Sequence, residues 1–315
     1  MIDYNILKKV INKLDDRVIL VAGHKNTDYD SMCSSLAFTL FLNKIGKKTF
    51  MLLEEKDLSK LNWFNKLDYI LSEYSGDNYN FILLDSNRKS RLGVFEKYFD
   101  KASIKINIDH HEDNKKEADY IFVDENISST CEIIYNLIKD NIDKDIATLL
   151  YAGIASDTNS FYKRVTPSTM LCASKLLEYG IDSTNIIKNV CKSMTLEESK
   201  ILKDMLNNIE YNVFYYIIMD RHNEFYKDVD YSVIFKKCAS IIYEITDINV
   251  LGLFLKELDG SVSGLFRSNS SIDVDKLAIT LGGGGHKKAS GFENNMTIDE
   301  ILEISKKYIK EQYGK

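Results

Sequence analysis

The chain has 315 residues, enough for about two domains, and its 44% hydrophobic and 28% charged content excludes a disordered polymer. Lys and Arg total 41 against 47 Asp and Glu, a net charge of −6, which argues against a protein that coats duplex nucleic acid through a basic face. No apolar run approaches the roughly 18 residues of a membrane helix, and the opening MIDYNILKKVINKLDDR is amphipathic with mixed charge, unlike a signal peptide.

Residues 17–23 (RVILVAG) form a short branched-apolar run and are expected to be a buried strand. Residues 31–45 read as a helix that Gly46 can end. Strands are expected at 48–53, at 81–84 before Asp85, at 104–108 before Asp109, and at 120–123. Helices are expected at 129–140 and at 145–155, the latter leading into Asp157. Strands alternating with helices imply βα units and an α/β fold: a mostly parallel sheet flanked by helices. Three helical stretches follow, 169–179, 183–192 and 195–208, with no strand between them. Beyond them come strands at 213–219, 249–255 and 261–266 and helices at 273–281 and 298–311. The expected organisation is a domain over 1–190, a helical linker over 191–208 and a smaller α+β domain over 209–315.

Five cysteines (Cys33, Cys131, Cys172, Cys191, Cys238) are scattered without a CxxC spacing, so they suit a reducing, cytoplasmic setting and neither a disulfide framework nor a zinc site. Arginine occurs only at 17, 88, 91, 164, 221 and 267, and histidine only at 24, 110, 111, 222 and 286. Where such scarce residues fall is therefore informative.

Six motifs stand out. GHKNTDYDS places His24, Asp28 and Asp30 after an expected strand, where ligands bind in open α/β sheets; Asp30 also suits the cap of the following helix. FILLD ends on Asp85, either a plain loop cap or a ligand, with Arg88 and Arg91 close behind. NIDHH gathers Asp109, His110 and His111 at another strand end, where one residue can ligate while another orients it. GIASDTNSF supplies Asp157, and GLFRS supplies Arg267 and Ser268. LGGGGHKKASG carries Gly283, Gly284, Gly285 and His286; glycines let a backbone approach an anion closely and aim N–H groups at it. Carboxylates with few imidazoles suit Mn²⁺, Mg²⁺ or a similar oxygen-loving ion. So many ligands suit two ions about 3.5–4 Å apart that share a carboxylate.

HxxxDxD, then D, then DHH, then D, then a distal Arg and GGGGH resembles the DHH phosphoesterase superfamily, and the glycine–histidine motif resembles the first type of DHH-associated C-terminal domain. The combination is similar to bacterial oligoribonucleases that degrade very short RNA and to dinucleotide phosphodiesterases. The resemblance implies one metal at His24, Asp28 and Asp85 and a second at Asp30, Asp85, His110 and Asp157. Mn²⁺ is the preferred ion, with Mg²⁺ or Co²⁺ as substitutes. His111 would reach the scissile phosphate and Asp109 would orient the histidines. Arg267, Ser268, Gly283, Gly284, Gly285 and His286 would hold a short RNA or dinucleotide from the smaller domain. The implied products are nucleoside 5′-monophosphates, and relatives are commonly homodimers; no membrane and no extended duplex is expected as a partner. Thr27, Cys33 and Asn159 depart from the family pattern without removing an implied ligand. Cyclic di-AMP and 3′-phosphoadenosine 5′-phosphate stand as alternative substrates. An inorganic pyrophosphatase would lack GGGGH, and a non-catalytic nucleotide-binding protein would not need every ligand position filled.

Overall fold

The computed structural model describes residues 2–112, 114–191, 194–223 and 231–313. The chain divides into two compact units, Met1–Ser193 and Met194–Lys315.

The first unit runs α1 (Tyr4–Lys13), β1 (Ile19–Ala22), α2 (Tyr29–Lys44), β2 (Thr49–Leu52), α3 (Glu55–Leu58), β3 (Ile70–Leu71), β4 (Asn80–Leu84), α4 (Glu96–Lys101), β5 (Lys105–Asp109), β6 (Tyr120–Val123), α5 (Thr130–Ile138), α6 (Lys144–Asp157), α7 (Pro167–Leu177) and α8 (Ser183–Val190). Its six strands lie in the order β3-β2-β1-β4-β5-β6, and every neighbouring pair is parallel. Ile19 and Val21 pack into one core while Leu20 and Ala22 pack into the core on the opposite face. Both faces being covered, the strands read as unbroken apolar runs instead of alternating ones. Chain progression reverses direction between β1 and β4, which opens a crevice at their carboxyl ends. Helix α2 is buried on all sides from Asp30 to Leu42, as a central helix is, its mid-helix Ser34, Ser35 and Thr39 being small enough to bury.

The second unit runs α9 (Leu196–Asn207), β7 (Glu210–Asn212), β8 (Phe214–Asp220), α10 (Tyr231–Ile242), β9 (Val250–Lys256), β10 (Val262–Ser268), α11 (Val274–Thr280), β11 (Gly284–His286), β12 (Ala289–Asn294) and α12 (Ile298–Tyr313). Its sheet has the order β11-β12-β10-β9-β8-β7. Only β8 and β9 are parallel, bridged by α10; the other pairs are antiparallel. The 191–208 stretch expected as a linker contains α9, whose Ile201 and Met205 sit in the core of this unit.

Several details differ from the sequence reading. Helix α2 starts at Tyr29, and its cap is Asp28, whose side chain accepts the Ser31 N–H. Asp30 is therefore not the cap. Helix α6 extends through Asp157. Helix α10 and strands β3, β7, β11 and β12 were not expected. The expected helix end at Lys192 lies outside the described residues.

Candidate metal centre

The carboxyl ends of β1, β4 and β5, the start of α2 and the end of α6 bring one set of side chains together. After β1 the chain turns through Asn26, at φ 54°, into the Asp28 cap. His24 sits in this turn, its N–H donating to Ser31 Oγ. Gly23 allows that contact, because a Cβ there would run into Ser31 Oγ. The His24 Nδ1–H donates to the Lys25 carbonyl at 2.8 Å. A carbonyl can only accept, so Nε2 is left facing Asp28 Oδ2 at 3.5 Å and Asp85 Oδ2 at 3.6 Å.

Asp85 follows β4 with φ 54°, a left-handed backbone that Asp tolerates better than most residues and that recurs at functional sites. Its other oxygen, Oδ1, faces His110 Nε2 at 3.4 Å and accepts from Thr130 Oγ1 at 3.1 Å. The His110 Nδ1 is taken by the Ile127 carbonyl at 3.4 Å, so this histidine too presents Nε2, which also lies 3.7 Å from Asp157 Oδ2. Asp109 ends β5 fully buried. Its Oδ1 accepts from the His110 N–H at 2.9 Å and from His111 Nδ1 at 2.6 Å, and its Oδ2 accepts from Asn114 Nδ2 at 2.8 Å.

Asp30, 1% exposed, accepts the backbone N–H groups of Thr130 and Cys131 at 2.7 and 2.9 Å. Those are amides at the start of α5, whose orphan donors and positive dipole end favour a carboxylate.

Three overlapping groups have ligand atoms within 4.8 Å of one another: His24, Asp28 and Asp85; Asp85, His110 and His111; Asp30, His110 and Asp157. Asp85 belongs to two of them. The electrostatics are those of crowded carboxylates. Burial, Asp85 and Asp157 push the Asp30 carboxyl well above its ordinary value. Burial, partly offset by His110, and then Asp85 raise Asp157 to about 6. Burial opposes charge on His110, yet Asp85, Asp30 and Asp157 raise it to about 10. His24 is raised in the same way, Asp28 and Asp85 overcoming its burial. Asp109 is lowered despite its burial, chiefly by the His111 hydrogen bond.

A divalent cation fits this donor set. Asp157 Oδ2 is buried without a hydrogen-bond partner. Both imidazoles have their second nitrogen fixed by a carbonyl, the usual arrangement behind a metal-bound histidine. The mix of carboxylate and imidazole suits Mn²⁺ or Mg²⁺.

In the second unit, Arg267, Gly284 and Gly285 line a cavity of about 600 Å³. The Arg267 guanidinium is half-buried, donates to the Phe266 carbonyl, and makes no ion pair among the described residues. The other expected substrate-holding residues are placed differently. Ser268 is 1% exposed, with Oγ at Ser270. A Cβ on Gly283 would run into the Gly291 carbonyl, so this glycine serves the close packing of the β11–β12 hairpin. His286 is exposed on β11.

Sequence reasoning missed Thr130, Cys131 and Asn114. Thr130 and Cys131 hold Asp30 through backbone amides, which leave no side-chain signature, and Asn114 holds Asp109 through a local side-chain bond. Arg91 and Arg164 lend positive charge to Asp28 and Asp157 respectively; the scarcity of arginine was the signal for Arg91.

The model of the DHH family N-terminal domain matches residues 18–154 and that of the DHHA1 domain matches residues 212–311. The chain is 26% identical over 298 residues, 91% of its own length and 92% of the relative's, to the probable bifunctional oligoribonuclease and PAP phosphatase NrnA of Streptococcus mutans. Among solved structures it resembles an exopolyphosphatase-related protein from Bacteroides fragilis at TM-score 0.84 and 21% identity, covering 98% of this chain and 95% of that one. RecJ of Thermus thermophilus in complex with Mn²⁺ matches at TM-score 0.58 and 13% identity, covering 98% of this chain and 54% of RecJ. These two structural likenesses concern the fold.

Proposed function

The chain carries a DHH family N-terminal domain joined to a DHHA1 domain, and from that premise we propose that it is a metal-dependent phosphoesterase that hydrolyses short oligoribonucleotides and dinucleotides to nucleoside 5′-monophosphates. The observation that carries this reading is the double engagement of Asp85, with Oδ2 toward His24 and Oδ1 toward His110.

In this reading His24, Asp28 and Asp85 hold one divalent ion, and Asp30, Asp85, His110 and Asp157 hold the other, with Mn²⁺ preferred. When bound, the pair supplies charge neutralisation for the phosphodiester and a hydroxide nucleophile near neutral pH. The residues of the chain do the positioning. The Lys25 and Ile127 carbonyls fix the two ligating imidazoles. Asp109 takes the Nδ1–H of His111, which leaves Nε2 of this one-third-exposed side chain to contact a phosphate oxygen. Arg267, with Gly284 and Gly285, offers an anion site in the DHHA1 domain. The acidic balance of the chain favours short substrates over long strands, which want an extended basic track.

The name of the Streptococcus mutans relative includes a PAP phosphatase, so removal of the 3′-phosphate of 3′-phosphoadenosine 5′-phosphate is the second reading of the same site. We place the protein in the cytoplasm, as its scattered cysteines suit; among the described residues no helix is long and apolar enough to cross a membrane. A homodimer is the proposed assembly.

The test is hydrolysis of pApA, a five-nucleotide RNA, cyclic di-AMP and 3′-phosphoadenosine 5′-phosphate with Mn²⁺, beside Asp85→Ala. Turnover that the variant loses supports the reading, and the fastest substrate names the role. No turnover of any substrate by a Mn²⁺-loaded protein refutes it.

A further inference from the structure

The cavity of the second unit carries opposite charges at its two ends. Ser263, Leu265 and Arg267 on β10 share one face of the sheet by the two-residue alternation of a strand. Ser263 and Arg267 are four residues apart, about 13 Å at the rise of a strand. Beside Arg267 lies Ala289, and beside Ser263 lies Glu293, by the register of β10 with β12. Small residues at the Arg267 end keep the floor low, Leu265 gives the middle an apolar wall, and Leu255 lies beside Ser263 at the far end.

The far end is built around Glu257. Its Oε2 lies 2.8 Å from Arg221 Nε, and its Oε1 accepts from Ser263 Oγ at 3.0 Å. The Arg221 N–H is itself held by the Lys256 carbonyl, and the Glu257 N–H by the Ser261 carbonyl. A carboxylate has about four acceptor positions, so two partners leave it capacity toward the cavity that it lines. Arg221, Glu257 and Glu293 all border that space. None of them belongs to a motif singled out in the sequence.

We propose that this cavity seats one nucleotide lengthwise, phosphate at Arg267 and nucleobase at Glu257, and that Glu257 selects guanine. The inference rests on the reading of the protein as acting on nucleotides. Guanine presents two adjacent N–H donors, N1–H and the N2 amino group, which match the two oxygens of one carboxylate. Adenine and cytosine present a single amino group beside a ring-nitrogen acceptor. Uracil presents one N–H between two carbonyl oxygens that a carboxylate repels. Charge-assisted, two-point hydrogen bonds are the strong and directional ones. Arg221 is a positioning residue here, fixing the carboxylate.

The test is calorimetric binding of 5′-GMP, AMP, CMP and UMP to the full-length, Mn²⁺-loaded protein, for the wild type and for Glu257→Gln. GMP should bind tightest. Glu257→Gln should weaken GMP about tenfold, within the range for a two-point base contact, and leave UMP unchanged, so retained UMP binding also reports a folded variant. An unchanged GMP-to-UMP ratio, or an equal loss for all four nucleotides, overturns the proposal. Glu293→Gln, the same charge change on the neighbouring strand, should leave the ratio alone; loss of the ratio there in place of Glu257 overturns it too. Where Glu257→Gln does not fold, Glu257→Asp keeps the charge, withdraws its reach and should lose the GMP preference. Hydrolysis of pGpG is measured in parallel. A Glu257-dependent ratio without hydrolysis refutes the phosphoesterase reading alone, and hydrolysis with an unchanged ratio refutes this inference alone.

Discussion

Asp85 turns one carboxylate oxygen to His110 at 3.4 Å, while its second oxygen faces His24 at 3.6 Å. Among the described residues no other carboxylate stands between the two imidazoles in this way. Asp85→Ala should therefore disturb both ligand groups at once. Activity on dinucleotides should fall by more than about 100-fold, since even residues that only orient metal ligands are worth about 10–100-fold. Metal content measured by elemental analysis should fall with it. Full activity in the variant contradicts the shared role of this carboxylate.

Asp109 contacts His111 and the His110 backbone but none of the other carboxylates' imidazole partners through Nε2. Asp109→Asn should keep the shape of the side chain while removing its charge and weakening the hold on His111 Nδ1. The expected loss in kcat is about 10–100-fold, with bound metal retained. Steady-state kinetics and metal analysis on one preparation separate this from Asp85→Ala.

Metal uptake should release protons. His110, raised to about 10, carries a proton at neutral pH that a cation must displace. His24 and Asp30 are shifted upward as well, and Asp157 is raised to about 6. Each raised value means that the metal-free folded protein holds its proton to higher pH than usual. Affinity should then climb from about pH 6, where Asp157 loses its proton, toward about pH 10, where His110 does. Titration calorimetry in buffers of different ionisation enthalpy measures the protons directly, and net uptake would contradict the sign.

Neighbouring glycines in the GGGG run should respond differently to alanine. A Cβ on Gly283 meets the Gly291 carbonyl and the Phe292 backbone, whereas one on Gly284 meets only Asp275 Oδ1 at 3.8 Å. Gly283→Ala should cost about 1–3 kcal/mol, as overpacking does, and Gly284→Ala should be close to neutral. Thermal melts of the two variants decide it; equal effects would count against the hairpin packing.

The sequence made the centre legible for a physical reason. Parallel strands buried on both faces appear as apolar runs, so 81–84 and 104–108 stop visibly at Asp85 and Asp109. The same logic put His24 after 17–23. The supporting groups were hidden because their chemistry is carried by main-chain amides, as at Thr130 and Cys131. Asp30 shows the difference: on sequence it suits the cap of its own helix, while in the fold Asp28 takes that place and Asp30 serves a helix 100 residues further on. The β11–β12 hairpin escaped notice because glycine is a poor strand former, and only the backbone approach at Gly283 explains its use there. Glu257 and Arg221 had no motif at all; the register of three strands brings them together.

The burial of β1, β4 and α2 on every side has a consequence for hydrogen exchange. Amides in such elements open only with the whole unit. The slowest-exchanging part of the first unit should therefore lie directly beneath His24, Asp28 and Asp85, and the exposed Asn26 of the turn above it should exchange faster. Deuterium would then map the centre as a quick rim on a protected floor, and ions would come and go through the rim without the floor ever opening.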